Sequence, residues 1–243
     1  NFQALKLYKS ELRIHGTIKA DFPELNPDYP RGTFIWTEPI IVADGKKYLP
    51  DSMFISSRPS QDTGQNIVIF TDVMKGTITG HTPLTKIGAI IQDHINRHYA
   101  FRKKDSTGKV PALVNIVNKK DSNSAKVPAN YDLKIAAHIE DKQLLHVVLP
   151  GITYIDTVAI NAVLDPVNLY LKVDAPQVVY GGSTITNAQV LVNGADSAFT
   201  YKVTVDEFAQ NRMKFWYANI NGNLDQNEIT TNVSLSDSAK KER

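Results

Sequence analysis

Apolar residues recur at every second position through most of the second half of this chain. Val158, Ile160, Ala162 and Leu164 sit two apart, as do Leu169, Leu171 and Val173. Phe199, Tyr201, Val203 and Val205 repeat the pattern, followed by Met213, Phe215 and Tyr217, and by Ile229, Thr231, Val233 and Leu235. A period of two places each set on one face of a strand. Between the sets stand Asp165-Pro166, Gly181-Gly182, Asn193-Gly194, Asn221-Gly222 and Asp225-Gln226-Asn227, all read as turns. Short strands joined by short connections predict an antiparallel, mainly β architecture. The first half reads the same way, less cleanly. Leu12, Ile14 and Ile18 alternate, Phe34 and Trp36 precede Pro39, and prolines from Pro23 to Pro59 predict bulges and edges.

One stretch breaks the period. From 82 to 101 the apolar positions are Leu84, Ile87, Ile90, Ile91, Ile95 and Tyr99. Their spacing of three or four marks one face of an amphipathic helix. Thr82 is expected as its N-cap and Pro83 as its first residue.

These patterns divide the chain into a β-rich part at 1–101 ending in the helix, a basic linker or loop at 102–130, a repeated antiparallel part at 131–236 and a polar tail at 237–243. Within the linker, Ala112 to Val117 is the one strand candidate. KADFPEL at Lys19–Leu25 and KVDAPQV at Lys172–Val178 form a weak internal repeat, each following an alternating strand.

Composition narrows the classes. Of 243 residues, 42% are hydrophobic, too many for a chain disordered throughout, and none is cysteine, so disulfides and thiolate zinc sites are excluded. The net charge of +2 argues against a dedicated nucleic-acid binder. That near-neutrality is a cancellation: residues 97–126 carry eight Lys or Arg and two Asp, a local +6, against −4 elsewhere. No apolar run approaches the roughly 18 residues of a membrane-spanning helix. The chain opens at Asn1 without a basic-then-apolar leader and ends on DSAKKER, as expected of an internal piece of a longer protein.

Candidate chemistry is sparse. His94 and His98 lie four apart, as metal ligands on a helix can, but Arg97 stands between them and a polar helix edge is the expected role. His138 and His146 are expected on solvent faces of strands. No G-x-S-x-G or phosphate loop occurs. No catalytic residue, metal ligand or cofactor site is therefore assigned, and the chain reads as a non-enzyme. A run of basic residues at Arg102-Lys103-Lys104 could meet anionic headgroups. Trp36 or Trp216 could anchor a surface aromatic patch.

The stretch IFTDVMKGTITGHTPLTKIGAIIQDHINRHY, Ile69 to Tyr99, resembles segments of the AsmA/TamB-like proteins of Gram-negative bacteria. There a strand pair leads through a Thr- and Leu-rich turn into an amphipathic helix. VNLYLKVDAPQVVYGGSTITNAQVLVNG followed by FTYKVTVDEF resembles their repeated strand-turn-strand units.

The resemblance implies a fold of stacked antiparallel strands forming a U-shaped groove with an apolar interior. It implies a periplasmic location, with an inner-membrane anchor outside this chain. It also implies phospholipid acyl chains as ligands, a role in lipid transport, and an outer-membrane assembly protein as a further partner. The expected lining is Val158, Ile160, Leu169, Leu171, Val190, Val192, Tyr201, Val203, Phe215, Tyr217, Val233 and Leu235. The helix face of Leu84, Ile87, Ile91, Ile95 and Tyr99 would cap the groove or simply pack on the sheet. About 14 strands at about 4.8 Å would extend about 65 Å. Alternation alone fits equally an open sandwich, and with it an interaction module binding a protein or glycan.

Overall fold

The computed structural model describes residues 12–24, 26–60, 64–99, 128, 130–195, 198–225 and 227–236. The polar tail, the Ala112–Val117 candidate strand and the basic Arg102–Lys104 run lie outside them. The elements in chain order are β1 (Leu12–Glu24), β2 (Arg31–Ala43), β3 (Lys46–Tyr48), β4 (Met53–Ser60), β5 (Gly64–Phe70), β6 (Met74–Gly80) and α1 (Ile87–His98). There follow β7 (Leu133–Ile139), α2 (Gln143–Val148), β8 (Ile152–Ile155), β9 (Val158–Leu164), β10 (Leu169–Tyr180), β11 (Ser183–Ala195), β12 (Ala198–Gln210), β13 (Met213–Asp225) and β14 (Glu228–Ser236).

All 14 strands belong to one open antiparallel sheet. Its main path runs β1-β2-β4-β5-β6-β7-β9-β10-β11-β12-β13-β14, with β3 added to β2 and β8 added to β10. Twelve strands on the path give an unrolled width of about 53 Å, less than the expected 65 Å. The two β-rich parts meet edge to edge: β6 pairs β7 from Met74↔Ile139 to Gly80↔Leu133.

Some turns form where the glycines and asparagines demand them. Gly181 and Gly182 take φ of 56° and 78° between the partners Tyr180 and Ser183, as a two-residue hairpin turn requires. Asn193-Gly194 and Asn221-Gly222 instead lie inside β11 and β13. They serve space rather than reversal. A Cβ on Gly194 would come within 2.9 Å of the Phe199 ring, and one on Gly222 within 2.4 Å of the Tyr201 hydroxyl. Each glycine makes room for the aromatic directly opposite it.

Register partners share a face, so the pairings define apolar rows across the sheet. The lowest row is Leu133, Leu164, Leu169, Gly194, Phe199 and Leu224. Above it runs Ile78, Ile135, Ala162, Leu171, Val192, Tyr201 and Gly222. A third row runs Ile69, Gly76, Ala137, Ile160, Val173, Val190, Val203, Ile220 and Val233. The opposite face is largely polar: one row reads Asn161, Lys172, Leu191, Lys202, Asn221 and Asn232.

The long strands β10 to β13 share one interruption. The pairs Pro176/Asn187, Asn187/Asp206, Ala188/Val205 and Asp206/Tyr217 are missing from otherwise continuous ladders. Pro176 has no N–H to donate, Asn187 and Tyr217 take φ of 49°, and the Asn187 amide bonds the Asp206 carboxylate at 2.9 Å. Above this line the apolar positions fall out of step by one residue. The row there is Ile155, Val178, Ile185, Phe208 and Phe215.

Candidate functional site

The apolar face carries a helix at each of two places. The helical stretch spans Leu84 to His98, beginning with a 3-10 turn at Leu84–Lys86. Thr82 is not its N-cap. It is 1% exposed, and its hydroxyl donates to the Asp132 carbonyl at 2.8 Å, tying the start of the stretch to β7. Pro83 has ψ of 124°, outside the helical region. The first-turn N–H groups are satisfied by a residue distant in sequence: Leu84 N–H donates to the Asp28 carbonyl at 3.2 Å and Thr85 N–H to the Asp28 carboxylate at 3.3 Å. The Thr85 hydroxyl bonds that carboxylate as well.

Ile90 is fully buried on Tyr131, Leu133, Leu164, Leu169, Phe199 and Leu224, with Ile87, Ile95 and Tyr99 packed at the margin of this cluster. Ile91 is 39% exposed and points away from it. At the far end the Asn227 N–H donates to the His98 carbonyl at 3.1 Å. The stretch is therefore attached to the β1–β2 turn at one end and the β13–β14 turn at the other. Those attachments stand about 24 Å apart along the helix. Ten strand spacings in a flat sheet would set these turns about 48 Å apart. The sheet curves around α1 as an arc around its chord.

Neither helix histidine lies on a polar edge: His94 is 2% and His98 8% exposed. Both face the sheet. His94 Nε2 lies 2.9 Å from the Asp165 carbonyl and 3.0 Å from the Tyr131 hydroxyl, and the carbonyl partner requires that Nε2 carry the proton. Burial, the largest influence, pushes the His94 pKa below the usual histidine value. Arg97 donates to the Pro166 carbonyl at 2.6 Å and pairs with Asp93 at 2.9 Å. Asp165 caps its own turn by accepting from the N–H groups of Val167 and Asn168. These donors outweigh burial and hold its carboxyl below the ordinary range. Among the described residues no group of three or more His, Asp or Glu could hold a metal.

The second helix, α2, has no counterpart in the sequence reading. Its Leu144 packs against the cluster of Trp36, Ile41 and Met53, while Leu145 and Val147 are buried. His146 sits on α2 rather than on a strand, with Nε2 2.7 Å from Asp141 and Nδ1 donating to the Ile152 carbonyl at 2.8 Å. Trp36 belongs to this core, 8% exposed with its indole N–H donating to the His15 carbonyl, so it anchors no surface patch. Beside α2 lies an open cleft of about 320 Å³ bounded by Tyr48, Asp51, Asp72, Lys142 and Leu144, too charged for an acyl chain.

The expected lining residues fall in three places. Leu169 lies beneath α1, with Val192 and Tyr201 at its margin. Leu171 shares their row, while Ile160, Val190, Val203 and Val233 form the third row and Val158 pairs Ile139 just above it. Phe215 stands beyond the ladder interruption, beside Phe208 with ring centroids 6.2 Å apart. Tyr217 occupies the interruption itself, and Leu235 the irregular stretch where β13 and β14 lose register. Along the third row burial thins towards the β14 edge, where Ile220 is 37% and Val233 63% exposed.

Among the described residues no helix is long and apolar enough to cross a membrane. No protein-family model, no curated protein and no solved structure matches this chain.

Proposed function

We propose that this chain is a segment of an AsmA/TamB-like cell-envelope protein. It works without chemistry, by holding phospholipid acyl chains on its apolar face in the periplasm. In this reading it serves lipid transport or outer-membrane assembly.

The observation that carries the reading is the third row. Nine aliphatic residues or glycines follow one another across nine strands, on the face opposite Lys172, Lys202 and Asn221. A folded domain normally covers such a face with a second layer. Here the described strands make a single sheet, and the row's outer members remain substantially exposed. Exposed apolar surface of that continuity marks a ligand or partner site. An acyl chain suits it because the row offers aliphatic contact and no polar anchor.

The test uses a photo-reactive amino acid placed in cells at Val203, and separately at Lys202, its neighbour on the opposite face. Lipid adducts at Val203 and few at Lys202 are the expected result. Equal labelling at both positions, or none at Val203 and Val190, overturns the proposal.

A further inference from the structure

Helix α1 and the proposed ligand use the same face. α1 covers the two lowest apolar rows and leaves the third, so it sets how much of the face is open. Three observations bear on whether that cover is permanent.

The first is the way the excursion carrying α1 leaves the sheet. The helix follows β6 and precedes β7 in sequence, and these two strands pair directly with each other. The neck is closed without the helix. His81 N–H and Thr82 N–H both donate to the Asp132 carbonyl, the Thr82 hydroxyl does the same, and His81 Nδ1 lies 2.6 Å from the Asp132 carboxylate. The helix can detach while every strand pairing stays intact.

The second is the nature of the attachments. They are concentrated at the two ends and at one turn: Asp28, Asn227, and the Asp165-Pro166 segment. The third is the buried face of α1, which sets two histidines among isoleucines. Ile90 is followed at one-turn steps by His94 and His98, so the buried stripe carries two ionisable rings. The groups facing His94 are Tyr131 ahead of β7, the Asp165 carbonyl and carboxylate on the β9–β10 turn, and Asp93 and Arg97 on its own helix. Strands β7, β9, β10, β12 and β13 offer the cluster Leu133, Leu164, Leu169, Phe199 and Leu224, with Ile135 and the phenol of Tyr201 packed at its margin.

We infer that α1 is a removable plug that competes with acyl chains for the lower rows of the apolar face, swinging out about the neck at Thr82 and Asp132. This rests on the acyl-binding reading above. It predicts that the open form binds more lipid than the closed form, and that acid favours the open form by charging His94.

The chain has no cysteine, which makes a clean test possible. In the full chain carrying both His98→Cys and Asn227→Cys, positions joined by a backbone hydrogen bond, oxidation would fasten the far end of α1 to the sheet. The probe is cis-parinaric acid, whose fluorescence rises in apolar sites. Reduced protein should bind it at least several-fold more tightly than oxidised protein. Equal saturable binding in both forms overturns the plug while leaving acyl binding standing. Binding in neither form overturns acyl binding, and amide hydrogen exchange on the unmodified chain then decides the plug alone. Helix amides that exchange well ahead of those in β7 and β9–β12 support it, and faster still at pH 5.5 than at pH 7.5. Protection of α1 equal to that of the strands at both pH values overturns it.

Discussion

The same strands live in two environments along their length. At the lower rim, on β13, Leu224 is 7% exposed in the row beneath α1. Two pleats higher on the same strand and face, Ile220 is 37% exposed. Side-chain type and period barely change between the two rows. The difference follows the cover: α1 lies over the lower row and not over the upper one. Alternation marks a face as apolar but does not say what lies on it.

Substitutions can break this comparison. The largest effect is expected from Leu133→Ala, which empties a site closed by the helix and should cost about 2–5 kcal/mol in urea unfolding. Val190→Ala in the uncovered row should cost only about 1 kcal/mol. Equal costs would mean that the upper row is also a packed core.

Gly80→Ala comes next. Gly80 has φ of 141°, and a Cβ there would lie 2.0 Å from the Asp132 carbonyl. A loss of about 1–3 kcal/mol from the strained backbone is expected, with more from the displaced neck.

Acid should act on the rim alone. His94 has a lowered pKa in the folded state, so the unfolded chain binds its proton more readily. Stability is then full above the ordinary histidine value of 6.5 and falls as pH drops below it, until the folded-state pKa is also passed. The slope is at most about 1.4 kcal/mol per pH unit for one proton. Denaturant midpoints measured between pH 7.5 and 5 should show it in the parent and lose it in His94→Leu. The smallest effect is expected from Thr82→Val, which removes one hydroxyl donor to the Asp132 carbonyl and should cost about 1 kcal/mol, read from the urea midpoint.

Much of the fold was legible because apolar residues alternate along β9 and β14, and along β10 to β12 up to the line where they change step. The helix announced itself through Ile87, Ile90 and Ile95. What stayed hidden depends on residues distant in sequence. The true partner of the helix start is Asp28, which no local capping pattern reveals. His94 and His98 read as polar because histidine type carries no information about the Tyr131 and Asp165 groups that accept it in a core. Asn193-Gly194 and Asn221-Gly222 carry turn chemistry, yet the aromatics Phe199 and Tyr201 opposite them claim the space. Helix α2 is six residues long, too short to establish a period. One hint could have been read: Pro176 in the middle of an alternating strand forecasts the line at which β10 to β13 change step.

The attachment of α1 has a consequence for how the molecule assembles. Except at β6–β7, which the excursion carrying α1 separates in sequence, strands on the main path pair with near neighbours, so each half of the sheet can zip up locally. The helix cannot follow that route, because its two ends bond the β1–β2 turn and the β13–β14 turn. It docks only after both flanks of the sheet exist and the sheet has bent between them. In refolding, α1 therefore acts as a completion signal: a chain missing β13 and β14, and with them Leu224 and Asn227, should form its remaining strands yet leave the helix amides poorly protected.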